Sequence, residues 1–294
     1  MKNIFFYQDG LWFIKLLKLN LKDEMRSMID IASKKRIVLK LGTSTLTHKT
    51  GKLNIRRMNN LVRVLADLHN SGKELLIVSS GAVGMGIGKL NLPERPKDTP
   101  SKQAAAAVGQ CELMHVYDDM FSKYSVTVAQ ILLTKNTLHN DRLPHVQNTI
   151  ERLLQLGVIP IVNENDTVAI DELELEIGEN DSLSAIVASI ANADLLVILS
   201  DIDGLFSADP RKYADAEVVP VVEKIDENII KMAGGAGSSF GTGGMATKIN
   251  AAKIATENGI DMVIMNGKDP EQLYNLFENK EVGTLFIAES SKSE

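Results

Sequence analysis

One cysteine, Cys111, occurs in 294 residues, so no disulfide can form within the chain. That excludes a cross-linked scaffold and fits a reducing cytoplasm. Cys111 lies in an apolar, helix-like run and is expected to be a small buried side chain rather than a nucleophile. No run of 18 apolar residues exists, so no membrane-spanning helix is expected. Positive charge is not in excess: 32 Lys and Arg face 38 Asp and Glu, a net charge near −6. A mildly acidic chain is a poor candidate for binding nucleic acid through its overall field. The histidines, His48, His69, His115, His139 and His145, do not cluster, so none is expected to be catalytic.

What is present suits a folded α/β enzyme. Hydrophobic residues make up 44% and charged residues 24%, enough apolar side chain for a full core in one large unit. Residues 1–35 stand apart as an extension. Their apolar run is broken by Asp9 and Gly10 and no small-residue cleavage site follows, so a signal peptide is not expected. Residues 11–20 could form a short amphipathic helix, Met25 and Met28 could serve as alternative starts, and no chemistry is assigned there.

From residue 36 strands alternate with helices. Strands are expected at 36–42, 74–81, 127–134, 158–166, 194–205, 261–267 and 283–288. Helices are expected at 56–70, 101–124 (capped by Ser101), 145–156, 180–193, 243–259 and 271–279, with a further helix starting after Gly81. The central strands are apolar runs rather than alternating patterns, so both faces are buried in a mostly parallel sheet with helices on each side. Residues 209–244 mix turns, one short helix and a Gly/Ser loop, and look like an insertion over the site. In such sheets ligands bind beyond the carboxyl ends of the strands. Small or polar residues gather there at Lys40–Ser44, Ser79–Ala82, Asn163–Asp166 and Ser200–Asp201.

Three glycine-rich stretches resemble phosphate cradles: KLGTS around Gly42, SSGAVGMG around Gly81, and GTGGMATK at 241–248. Bare backbone N–H groups at a helix start attract an anion, and Lys40 and Lys248 could add charge. Each stretch alone could be a strand-ending turn. GMGIGKL (84–90) is not a P-loop, because Leu90 stands where a Ser or Thr should be. GTSTLT after the first strand lacks the later glycines of a dinucleotide fold.

VLKLGTS, IVSSGAVGMG, VIPIVNEND, GENDSLSA, LLVILSDIDGL and GTGGMATK follow one another in that order, and together they resemble the amino acid kinase family. The resemblance covers about residues 36–288, leaving a tail at 289–294 and no C-terminal PUA-type module. It implies a three-layer α/β/α sandwich around a mostly parallel eight-stranded sheet. The pattern is nearest to members that use ATP to phosphorylate the side-chain carboxyl of glutamate, the first step of proline synthesis. Alternatives are a family kinase acting on acetylglutamate, aspartate or carbamate, or a silent sensor of an amino acid and a nucleotide.

Carried over by position, Lys40 and Lys248 would contact the transferring phosphoryl group, and Asp201 would hold them in place. Lys40, Ser200, Asp201 and the run Thr242, Gly243, Gly244, Met245, Ala246, Thr247 and Lys248 would line the ATP site. Ser80, Asp166 and Asn180 would bind glutamate, with Gly81 and Ala82 near its reacting carboxylate and Asp181 close by. Magnesium would ride on the ATP phosphates. Proline is implied as a feedback inhibitor, a homo-oligomer as the assembly, and a reductase as a partner for the unstable product.

Residues 163–181 carry eight carboxylates and no basic residue. Glu172, Glu174 and Glu176 alternate with Leu173, Leu175 and Ile177, as on the solvated face of a strand. The spacing of a calcium loop is absent. Asp166 closes a buried strand and needs a cationic partner, which the α-ammonium of glutamate would supply. Asn180 would contact the carboxylate end.

Overall fold

The computed structural model describes residues 29–42, 46–48, 52–134, 140–168, 180–234 and 244–289. Thr43, Ser44, Thr242, Gly243, the alternating glutamates and residues 1–28 lie outside them. Eight strands form one sheet: β1 (Arg36–Leu41), β2 (Glu74–Ser79), β3 (Thr127–Leu133), β4 (Val158–Glu164), β5 (Leu195–Ser200), β6 (Val221–Val222), β7 (Asp261–Asn266) and β8 (Thr284–Phe286). Their order is β3-β4-β2-β1-β5-β7-β8-β6. Among these described strands, only the β7–β8 pairing is antiparallel.

The helices are α1 (Ile55–Asn70), α2 (Ala82–Leu90), α3 (Thr99–Ser122), α4 (Leu143–Gln155), α5 (Asn180–Ile190), α6 (Glu227–Met232), α7 (Met245–Glu257) and α8 (Gln272–Phe277). Two apolar clusters show the three layers. Ile37, Leu39 and Leu41 of β1 pack with α1, α3 and α8. Val38 of the same strand packs with α4, α5 and α7 on the other face. Alternation on a strand makes this split, and it places Lys40 on the α5–α7 side. Each fully buried aliphatic side chain contributes roughly 1.5–3 kcal/mol.

Several expectations change. Val221–Val222 pairs with β8, so residues 209–244 contribute the outermost strand of the sheet rather than a mere insertion. Helix α3 starts at Thr99, capped by Asp98, whose carboxylate accepts from the Ser101 N–H at 2.9 Å. Pro100 in the first turn needs no intrahelical donor, which lets the helix begin earlier than Ser101. Cys111 is exposed, because Gln110, Leu113 and Tyr117 occupy the buried face of α3.

Helices α2 and α3 cross at backbone contact. A Cβ added at Gly86 would lie 1.8 Å from the Ala105 carbonyl oxygen, and one at Gly109 would lie 1.7 Å from that of Ala82. Only glycines permit this approach, which brings α3 against the Ser79–Ala82 corner. Gly109→Ala should therefore lower stability by roughly 1–3 kcal/mol, as overpacking does, measured by urea unfolding. An unchanged midpoint would mean the helices can separate freely.

Candidate active site

The chain runs outward from β1 in both directions, through β2 on one side and β5 on the other. The crevice beyond the carboxyl ends of such diverging strands is where ligands sit in open α/β sheets. Three charged side chains meet there. Lys40 leaves the central strand with its side chain 12% exposed. Asp181, the second residue of α5, is 2% exposed, and Lys248, in the first turn of α7, is 6% exposed. Lys40 Nζ lies 2.7 Å from Asp181 Oδ1 and Lys248 Nζ lies 3.1 Å from Asp181 Oδ2. The Lys40 contact is a close ion pair without a well-aligned hydrogen bond, whereas Lys248 donates properly. The Thr247 hydroxyl also reaches Asp181 Oδ2, at 3.0 Å. The two ammonium groups are thus separated by no more than one carboxylate and its two contacts.

Burial pushes the Asp181 carboxyl up, but the charges of Lys40 and Lys248 outweigh it and hold the group below its ordinary value. The start of α5 adds a favourable dipole. Asp181, not Asp201, is the residue that gathers the lysines. Asp201 lies beyond the end of β5, exposed, and accepts from the Ser200 hydroxyl at 3.3 Å. Ile198 and Ser200 share the Lys40 face of the sheet, and Asp201 is one residue out of phase with them.

Two helix starts face the same crevice without side-chain caps. Helix α2 begins at Gly81, which has a left-handed φ of 110°, and α7 begins at Gly244. Among the described residues neither start has a side-chain cap, and the first N–H groups of a helix suit an anion. Met245 and Ala246 belong to that first turn of α7, and Ala82 opens α2. Lys40 and Lys248 thus bring two ammonium groups beside these helix starts.

The ends of β2 and β4 form a neutral polar network beside it. Asn180 Nδ2 donates to Ser80 Oγ at 2.6 Å and lies 3.3 Å from the Ser79 carbonyl and 3.4 Å from Asn163 Oδ1. Asn163 Nδ2 donates to Gln110 Oε1 at 2.9 Å. The phenol of Tyr117, kept neutral because burial pushes its pKa far up, bonds Ser79 Oγ at 2.9 Å. Asn180 therefore turns its donor inward, away from any ligand carboxylate. Gln110 and Tyr117 were not anticipated, whereas Asn163 belongs to the polar stretch expected at the end of β4; the one signal for Gln110 is a polar residue directly after the small-residue run AAAAVG. Asp166 is half-buried just past β4, and its carboxylate makes no hydrogen bond among the described residues. Burial raises its pKa, and the charge of Arg95 offsets this only in part.

A separate cleft of about 500 Å³ lies between the start of α1 and the loop after β7, lined by Arg56, Arg57 and Lys268 among others. None of the converging residues lines it. Among the described residues no helix is long and apolar enough to cross a membrane.

The family model described as the amino acid kinase family matches residues 35–266. A glutamate 5-kinase of Clostridium perfringens is 52% identical over 261 residues, 88% of this chain and 97% of the relative. That of Clostridium tetani is 54% identical over 255 residues, 86% of this chain and 95% of the relative. Among solved structures, UMP kinase from Bacillus anthracis aligns with a TM-score of 0.62 at 16% identity, covering 87% of this chain and 97% of its own. An isopentenyl phosphate kinase of T. acidophilum aligns at 0.60 and 18%, covering 86% and 100%. These two share the fold.

Asp181→Asn removes the negative charge that Lys40 and Lys248 share and should cost about 3–5 kcal/mol, measured by denaturant unfolding. Asp166 behaves oppositely. A carboxyl whose folded-state pKa is raised costs stability once ionised, and that cost grows as pH rises from the unfolded value of about 4 through the folded one. Asp166→Asn should melt at or above the wild-type temperature at pH 7, with the gap closing toward pH 4. A lower Tm at pH 7 would reveal a stabilising partner for Asp166.

Proposed function

The chain belongs to the amino acid kinase family, and from that premise we propose that it transfers the γ-phosphoryl group of ATP to the γ-carboxylate of L-glutamate, giving L-glutamyl 5-phosphate for proline synthesis. The observation that carries the transfer is the meeting of Lys40 and Lys248 on Asp181 beside two uncapped helix starts. The relatives at 52% and 54% identity support the choice of acceptor.

The acceptor carboxylate is already ionised near pH 7, so no general base is needed. The reaction needs alignment and positive charge on the transferring oxygens. Lys40 and Lys248 supply that charge from a rigid strand and a helix start. Asp181 keeps the two like charges close together and in place before ATP arrives. The start of α7, from Gly244 through Thr247, cradles the donor phosphates, with Ser200 and Asp201 at the nucleotide side. Ser80, whose oxygen accepts from Asn180, keeps its own hydrogen for the acceptor, near Gly81 and Ala82. Asp166, short of partners, takes the α-ammonium.

Among the described residues no three acidic, His or Cys side chains converge to hold a metal alone. Magnesium usually keeps waters and takes few protein ligands, so it would be held mainly by the ATP phosphates, where it would neutralise phosphate charge. Proline, matching the amino-acid end of glutamate, is the expected inhibitor at this site. An acyl phosphate is short-lived in water, which favours a reductase as partner. A homo-oligomer in the cytoplasm completes the reading.

Lys40→Ala and Lys248→Ala should each lower kcat at least about a hundredfold, the scale for losing a preorganised donor. A normal turnover number in either would remove that lysine from the chemistry. Asp166→Ala should raise the KM for glutamate far more than that for ATP, and N-acetylglutamate should not be phosphorylated, since it lacks the free amine. Trapping the product with hydroxylamine reports the acyl phosphate directly; no hydroxamate from wild-type enzyme, ATP and glutamate would overturn the assignment.

A further inference from the structure

The polar network at the ends of β2 and β4 has a polarity that one fixed atom decides. The Ser79 backbone carbonyl can only accept, so the Asn180 group facing it must be the Nδ2 amine. The Asn163 atom 3.4 Å from that amine must then be Oδ1, which turns Asn163 Nδ2 toward Gln110. Gln110 must meet it with Oε1, at 2.9 Å. The last group in the series, Gln110 Nε2, is buried with no hydrogen-bond partner among the described residues. Gln110 is 7% exposed and Asn163 2% exposed, so neither amide faces bulk water. A buried donor without a partner is tolerated in native proteins when a stricter requirement imposes it. Here the requirement is the orientation of the whole series. Reversing any one amide would set donor against donor or acceptor against acceptor.

We propose that Gln110 is a positioning residue for the acceptor substrate. Acting through Asn163, it buttresses the orientation that the Ser79 carbonyl sets for Asn180, with Nδ2 inward and Oδ1 turned away from Ser79 and Ser80, toward the ligand. The site then offers an acceptor oxygen on Asn180 and a hydroxyl hydrogen on Ser80. The first suits the α-ammonium of glutamate beside Asp166; the second suits a carboxylate. The direct backbone contact of α2 and α3 at Gly86 and Gly109 is what sets Gln110, the next residue on α3, deep enough to reach Asn163. This inference rests on the proposed glutamate kinase activity.

The test compares Gln110→Met, which keeps the bulk and loses the acceptor, with Gln110→Glu, which keeps an acceptor oxygen for Asn163. Wild-type turnover of glutamate is measured first; its absence would refute the proposed function itself rather than the role of Gln110. In the active enzyme, Gln110→Met leaves the buried Asn163 amine unpaired and should raise the KM for glutamate about tenfold or more. The KM for ATP should stay within about twofold, a split that general destabilisation would not produce. Gln110→Glu should remain within about threefold of wild type for both substrates. An unchanged glutamate KM in a folded Gln110→Met variant, or equal rises in both KM values, would overturn the proposal. If Gln110→Met fails to fold, Gln110→Glu decides alone: near-normal glutamate KM supports the role, and a tenfold rise or failure to fold overturns it.

Discussion

A buried carboxylate shared by two lysines governs the architecture around the crevice. An isolated ionised group at the depth of Asp181 would be too costly to keep charged, and so would either lysine alone. Each is tolerated because the others are present. Their attachment points are the central strand, the start of α5 and the start of α7, so one ionic contact joins three elements that are far apart in the chain. That contact also stores the two positive charges where an incoming polyphosphate can use them. In the proposed reaction the interaction is structural before substrate binds and electrostatic support for transfer afterwards.

Sheet topology explains why residues 40, 181 and 248 meet at all. Strand β1 is central and pairs in parallel with β2 and β5. Parallel strands deliver every carboxyl end to one edge, and right-handed crossovers return each helix start to that same edge. Alternation along β1 then sends Lys40 to the face covered by α5 and α7, where Asp181 and Lys248 begin their helices. A one-residue slip in β1 would bury Leu39 and Leu41 on the wrong side and aim Lys40 at α1.

Most of this fold was legible in the sequence, because buried parallel strands are apolar runs and glycines mark where they end. The lysines and the glycine-rich helix starts were legible for the same reason: their chemistry has few structural uses. The role of Asp181 was not. Asp181 and Asp201 both follow a strand or open a helix, and only the register of β5 against β1 shows that Asp201 lies out of phase. The two-residue strand Val221–Val222 is too short for periodicity to register. The Asp98 cap was hidden by the more familiar Ser101. Gln110 was missed because its importance depends on Asn163, which it meets only through tertiary packing.

The two halves of the crevice use different chemistry, and the proposed reaction gives a reason. Charge accumulates on the phosphoryl oxygens during transfer, so cations placed there favour the transition state over the ground state. A cation placed on the acceptor carboxylate would instead stabilise the nucleophile before attack and raise the barrier. Neutral donors such as the Ser80 hydroxyl and the bare amides at the start of α2 can hold that carboxylate without quenching it. Neutral groups, however, orient a ligand only if their own donors and acceptors cannot interchange. The Ser79 carbonyl removes that freedom from Asn180, Asn163 and Gln110 in turn, and an unpaired amine at the end of the series is the consequence. Asp166 fits the same logic: a carboxylate kept short of partners in the free protein retains its full attraction for an arriving ammonium group.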